Sequence, residues 1–344
     1  MAGLPRSLAR LPHIRGPVIA AVLLAGGWPA ASASTYRSVR LFGTDYVDAR
    51  DFARRFGLED EWIIAKKKMR LRSRWTTIEF AVDSVEVRLN RLRLFLGEPV
   101  VAHRGSLYLG RRDVEAMLGS ILSPRLGGRP PALKTIVVDP GHGGGDPGNQ
   151  NTRLKLDEKV HTLDVAKRLV PLLREAGYRV ILTRSTDRRV DLDERTAIAK
   201  RAGADLFISL HFNAFKDARV GGTETYVMPP RYQRSSPAAE RTRSMVSTKY
   251  PSNRFDSWNI LLGYRVHRAL VERLQLKDRG LKRFRYRVLC TAECPAVLVE
   301  AAFLSNTAEG RKIATGAYRQ QIATGIATGV KAYGAALEQL RSGR

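Results

Sequence analysis

Three apolar runs along the chain each stop at a side chain able to bind a metal or move a proton. Thr135–Asp139 (TIVVD) breaks at Pro140 into the glycine-rich loop PGHGGGDPG, which carries His142. Leu206–Ala214 (LFISLHFNA) closes on His211, and Ala296–Asn306 (AVLVEAAFLSN) on Glu300. Short apolar runs bounded by Pro and Gly predict buried strands, whose ends open into loops. Between them the apolar period lengthens to that of helices. Asp157–Ala176 carries Val160, Leu163, Ala166, Leu169 and Leu173 on one expected face and stops at Gly177, with Pro171 placed to bend its last turns. Tyr178–Thr183 predicts a further strand, Asp191–Gly203 a helix and Gly222–Met228 a strand. Ser257–Leu274 predicts a helix, Phe284–Cys290 a strand, and the segments from Thr307 and from Tyr318 to Leu340 helices. Strands alternating with helices predict an α/β fold, a mostly parallel sheet covered by helices on both faces.

Ahead of this region the pattern differs. Thr76–Val82, Val85–Asn90 and Ser106–Gly110 alternate with period two and predict short strands, while Tyr46–Gly57 and Arg111–Gly119 predict helices that end at glycine. Two strand-helix units of similar design suggest a duplication inside a small α+β domain, residues 34–123. This pattern resembles the copper amine oxidase N-terminal-like domain, which implies a binding or scaffolding module; His103 is a lone surface histidine and not a copper site. A basic Pro/Gly stretch, residues 124–133, reads as a linker to a catalytic domain at 134–344. Pro229–Asp256 interrupts the alternation with a polar, Arg- and Ser-rich insertion of the kind that forms a lid or a solvated loop.

Charge narrows the function. A formal net charge of +26 over 344 residues calls for an anionic environment: nucleic acid, membrane surface or cell wall. Arg6, Arg10 and Arg15 precede the apolar run Pro17–Leu24, and Ala31-Ser32-Ala33 has the small-residue pattern of a signal-peptidase site. Residues 1–33 therefore read as a signal peptide, which removes nucleic acid as a partner and leaves no stable membrane insertion after cleavage. The expected location is the periplasm or cell envelope. Cys290 and Cys294 are compatible with a small disulfide or with a free pair.

Gly143, Gly145 and Gly148 fit the spacing of a dinucleotide-binding loop, but Pro147 and the polar NQNTRLKL separate them from the next helix. A pyrophosphate cradle needs that helix to start at the glycines. The glycines are better read as letting backbone pack closely around a group held by His142. His142 and His211 end strands and Glu158 opens a helix, so three elements supply two imidazoles and a carboxylate. That set, with one position open, suits catalytic zinc and also other first-row metals. His161 and His267 fit structural roles.

The motifs TIVVDPGHGGGDPG, EKVHTLDVAKRL, LTRSTD, LDERTAIAKRAGADLFISLHFNA, GTETYV and PAVLVEAAFLSN, in that order, resemble the zinc-dependent N-acetylmuramoyl-L-alanine amidases of amidase family 3. The resemblance implies metal ligands at His142, Glu158 and His211, a catalytic glutamate at Glu300 and Zn²⁺ as cofactor. It implies peptidoglycan as substrate, cut at the amide between muramic acid and L-alanine, and leaves room for a protein activator. In some relatives the segment matching Pro229–Asp256 carries a regulatory element. Asn213 is a candidate for substrate binding or for orienting the loop after His211. Glu224 and Asp139 are candidates for supporting positions, and Arg195 and Asn306 for fixing loops and helix ends. Lys200 and Cys290 depart from the family pattern without touching the core set. A zinc peptidase on wall peptides and a non-catalytic wall-binding protein are the competing functions.

Overall fold

The computed structural model describes residues 36–236 and 247–343. The signal-peptide reading and the centre of the Pro229–Asp256 insertion lie outside these residues. The first strands are β1 (Ser38–Leu41), β2 (Thr44–Asp48), β3 (Glu59–Ile64), β4 (Lys68–Arg72), β5 (Thr77–Ala81), β6 (Glu86–Leu89), β7 (Leu92–Phe95), β8 (Val101–His103) and β9 (Ser106–Gly110). Helix α1 (Ala49–Arg55) follows β2, and α2 (Arg111–Asp113) follows β9, running through a π-turn into α3 (Gly119–Leu122). β1, β2, β9 and β8 form a four-stranded sheet in that order, with β2 and β9 antiparallel at its centre. Each central strand feeds a helix.

The remaining strands are β10 (Thr135–Pro140), β11 (Gln150–Asn151), β12 (Leu156–Asp157), β13 (Arg179–Leu182), β14 (Leu206–Asn213), β15 (Thr223–Val227), β16 (Asp278–Arg283) and β17 (Ala296–Phe303). The helices are α4 (Glu158–Glu175), α5 (Leu192–Arg201), α6 (Asp256–Leu274), α7 (Arg287–Thr291), α8 (Thr307–Ala314) and α9 (Gly316–Arg341). One long sheet runs β13-β10-β14-β17-β15-β16-β7-β6-β5-β4-β3.

This sheet is mixed, and the expectation of a mostly parallel one is corrected. β13, β10, β14 and β17 are parallel, β15 runs antiparallel to β17, and the β7-to-β3 end is antiparallel throughout. The reversal follows from chain length. β14 and β15 are joined by residues 214–222 alone, fewer than the dozen or more that a parallel crossover needs. α6 then supplies a crossover, so β15 and β16 are parallel.

Two further expectations shift. The strand placed at Phe284–Cys290 lies instead at Asp278–Arg283. Phe284 and Tyr286 turn out of it to pack against Tyr226, and Val288–Cys290 sit in α7. The buried face of α4 is Glu158, Thr162, Val165, Ala166, Leu169 and Leu173, while Val160 is exposed. The helix is rotated so that its first residue points under the strand ends.

Helices α4, α6 and α9 pack on one face of the parallel strands. On the other, Val137, Phe207, Leu298 and Tyr226 alternate into a second core shared with Ala199 of α5 and Val288–Cys290 of α7. Where β7 meets β16, Arg283 and Asp113, both fully buried, pair at 3.0 Å. Asp113 also accepts from the amides of Gly97 and Glu98 and from Gln233. Cys290 and Cys294 are buried and are not joined in a disulfide.

Candidate metal centre

The parallel strands β10, β14 and β17 end at one edge, where His142 lies in the loop after β10, His211 in β14, Glu300 in β17 and Glu158 at the start of α4. Asp139, at the end of β10, is buried in a bond to Arg195 Nη1 at 2.7 Å and accepts from the hydroxyls of Thr183 and Ser209. Arg195 also donates to the carbonyls of Pro140 and His142, and the buried Arg184 to those of Pro140, Gly141 and Lys159. Two guanidinium groups thereby shape the turn that carries His142, whose φ of 62° lies in the left-handed region. Arg195 has the loop-fixing role expected of it. Arg184 is inside the LTRSTD motif, yet nothing in its polar neighbourhood in sequence signals that it will be buried.

Glu158 is fully buried at the start of α4. Its Oε1 accepts from the Phe212 amide at 3.0 Å and faces His211 Nδ1 at 2.9 Å. Its Oε2 accepts from the Asn149 amide at 2.8 Å and lies 3.2 Å from His142 Nε2. His142 Nδ1 is held by Asp146 at 2.8 Å, and Asp146 accepts in turn from the Gly148 amide. One donor atom each from His142, Glu158 and His211 lies within 4.8 Å of the others. Asp146 thus engages His142 Nδ1, and Nε2 is left to bind a metal.

The residues fit a metal ion. One carboxylate sits between two imidazole nitrogens, and a group larger than glycine is excluded around them. A Cβ on Gly148 would lie 2.5 Å from the His142 ring and 2.7 Å from Glu158 Oε2; one on Gly141 would overlap the His211 ring. Burial works against charge on Glu158, but His142 and His211 more than reverse it and hold the carboxyl well below the usual range. Burial likewise opposes the imidazolium of His142, and Glu158 and Asp146 overcome it, raising the pKa. A buried anion between two histidines is the arrangement that a divalent cation completes.

Glu300 on β17 is the direct neighbour of His211 on β14 and of Glu224 on β15. It is 8 % exposed, and its Oε2 is buried with no hydrogen-bond partner. Burial first, then the charges of Glu158 and Glu224, push its pKa well above the carboxylate range, with Lys282 acting in the opposite sense. Glu224, 2 % exposed, accepts from Arg279, Lys282, Tyr226 and Asn213. Asn213 is therefore tied to Glu224 through Nδ2, while its Oδ1 accepts from the Ala214 amide at 2.7 Å. Asn306 caps α8. His161 is buried on α4 outside the ligand cluster, and His267 is buried between Thr225 and Asp278.

A cleft of about 120 Å³ opens on the ligands, lined by His142, Asp146, Arg189, Leu192, Arg195 and His211 among others. Arg189 and Leu192 were not among the residues singled out from sequence.

Residues 136–332 match the family model described as N-acetylmuramoyl-L-alanine amidase. The N-acetylmuramoyl-L-alanine amidase AmiA of Escherichia coli is 32 % identical over 220 residues, covering 58 % of this chain and 76 % of that protein. LytC of Bacillus subtilis, another N-acetylmuramoyl-L-alanine amidase, is 33 % identical over 200 residues, covering 58 % of this chain and 35 % of that longer protein. Among solved structures, the catalytic domain of the amidase CwlV from Bacillus (Paenibacillus) polymyxa var. colistinus is similar with a TM-score of 0.49 and 27 % identity, over 58 % of this chain and 98 % of that one. The chain belongs to the N-acetylmuramoyl-L-alanine amidase family.

Proposed function

We propose that this protein is an exported, zinc-dependent peptidoglycan hydrolase that cleaves the amide between N-acetylmuramic acid and the L-alanine of the stem peptide. The observation that carries the reading is the convergence of His142, Glu158 and His211 at one sheet edge, with Glu300 on the adjacent strand and its buried Oε2 unpartnered. His142, Glu158 and His211 would hold the ion, which supplies an acidified water and polarises the amide carbonyl. Glu300 takes the proton from the attacking water and returns it to the leaving alanine nitrogen as the C–N bond breaks. Its environment suits that exchange, because a carboxyl held against ionisation is a stronger base when ionised and a ready donor when protonated. Glu224, neutralised by Arg279 and Lys282, keeps Glu300 in register without competing for the proton.

The region before Ser123 serves as a scaffold that extends the catalytic sheet, consistent with β7 lying beside β16. The basic charge suits an anionic envelope, and among the described residues no helix is long and apolar enough to cross a membrane. The test is release of stem peptides from purified sacculi. Glu300→Gln should lower the rate by about 10²–10⁴-fold, and chelation should abolish it. Products should be an intact glycan and peptides beginning with L-alanine. Release by the Gln variant at the wild-type rate overturns the role of Glu300, and peptides cut internally overturn the amidase reading.

A further inference from the structure

We infer that Arg189 is a specificity residue that binds a carboxylate of the stem peptide beside the scissile amide; this rests on the amidase reading above. Arg189 lines the same cleft as His142 and His211. The other charged side chains of that cleft are already committed. Asp146 uses its two oxygens on His142 and the Gly148 amide. Arg195 is buried against Asp139 and the carbonyls of Pro140 and His142. Asp191 accepts from Arg189 Nε at 3.2 Å. That contact is solvent-exposed, with the Arg189 side chain 73 % accessible, and among the described residues Nη1 and Nη2 have no protein partner. Asp191 therefore steers the guanidinium and leaves its outer fork open.

Such a fork matches a carboxylate through two parallel N–H···O bonds, which a lysine or an amide cannot reproduce. The backbone beneath it is fixed. Gly144 packs so close to Arg189 that a Cβ would lie 2.7 Å from the Arg189 amide, and the Gly144 amide donates to Asp187 at 2.7 Å. The loop carrying Arg189 is thus anchored to the loop carrying His142. Because Arg189, His142 and His211 line one cleft, a carboxylate bound there shares it with an amide presented to the candidate ligands. Leu192, 57 % exposed on the same wall, offers an apolar contact to the intervening chain.

The experiment uses two synthetic muropeptides that differ only in whether the carboxylate nearest the scissile amide is free or a carboxamide, together with the two peptides that cleavage would release. Zinc-loaded wild-type protein should show a KM about tenfold lower for the free acid, and should bind the free-acid peptide about tenfold more tightly in calorimetry. Arg189→Gln should bring both ratios close to one by raising the KM for the acid. Arg311→Gln, at an exposed arginine that does not line the cleft, should keep the wild-type ratios. Equal ratios in wild type and Arg189→Gln, or no preference in wild type, overturn the inference. If wild type cleaves neither muropeptide, the amidase reading fails, and the calorimetric ratio still decides whether Arg189 recognises the carboxylate.

Discussion

The glycines of the opening loop make a sharp test, because two of them differ in what surrounds them. A Cβ at Gly141 would lie 2.6 Å from Nε2 and 2.7 Å from Nδ1 of His211, whereas at Gly145 it would meet nothing within 4 Å. Neither residue has the positive φ that penalises side chains, so an alanine at either position tests space and not backbone strain. His211 cannot swing aside freely, since Nδ1 is held 2.9 Å from Glu158 and its strand is paired on both sides. Reaching ordinary contact distance requires the ring to move by roughly 1 Å, a displacement of the size that costs an active site about 10²-fold in rate. Gly141→Ala should therefore weaken metal binding by about 10–100-fold, the usual effect of disturbing what orients a ligand, and destabilise the metal-free fold by about 1–3 kcal/mol through overpacking. Gly145→Ala should bind metal as wild type does and gain a few tenths of a kcal/mol from the stiffer unfolded chain. Competition titration of the metal-free proteins against a chromogenic chelator reads the first quantity, and urea unfolding the second. Wild-type zinc affinity in Gly141→Ala, or equal losses in both variants, would refute the steric account of this loop.

Two further perturbations test the scaffold. Arg283→Met leaves Asp113 buried without its cation and should cost about 3–5 kcal/mol in urea unfolding; a loss under 1 kcal/mol would mean that the amides of Gly97 and Glu98 suffice. Asp256 has its pKa raised to about 6, by burial first, against the opposing pull of Asn253 and nearby arginines. A carboxyl with a raised folded-state pKa contributes stability below its unfolded value near 4, and loses it as pH rises to about 6. Asp256→Asn should accordingly gain ~1–2 kcal/mol over wild type on going from pH 4 to pH 7.5, the helix start at this residue offsetting part of the effect. A pH-independent difference in thermal unfolding would reject it.

The candidate ligands stood out because each stands where a local pattern changes. His142 and His211 end apolar runs and Glu158 opens a helical one, and strand ends converge wherever a parallel sheet forms. Long-range partners were not legible. Arg283 and Asp113 are 170 residues apart, and a polar residue's period says nothing about which distant charge will meet it. Nor does periodicity give strand direction: Gly222–Met228 reads as a strand in either sense, and only the shortness of the 214–222 connection tells it to reverse. The rotation of α4 had a visible clue, since Val160 on the expected apolar face would have turned Glu158 away from the histidines.

The polarity of the loop after β10 also bears on which ion the site selects. The carbonyls of Pro140, Gly141 and His142, oxygen ligands in principle, all accept from Arg184 or Arg195. The amides that face the ligand cluster, those of Asn149, Phe212 and Gly148, donate to the carboxylates of Glu158 and Asp146. Backbone oxygen is thus turned toward fixed cations, and backbone N–H toward the acids that hold or orient the ligands. What remains for an ion is two imidazole nitrogens and one carboxylate. Calcium and magnesium need six or more oxygens or a largely hydrated shell, which this set does not provide, whereas two histidines and a carboxylate suit zinc and other first-row metals. The two buried arginines, which touch no candidate ligand side chain, thus engage the backbone oxygens of this loop.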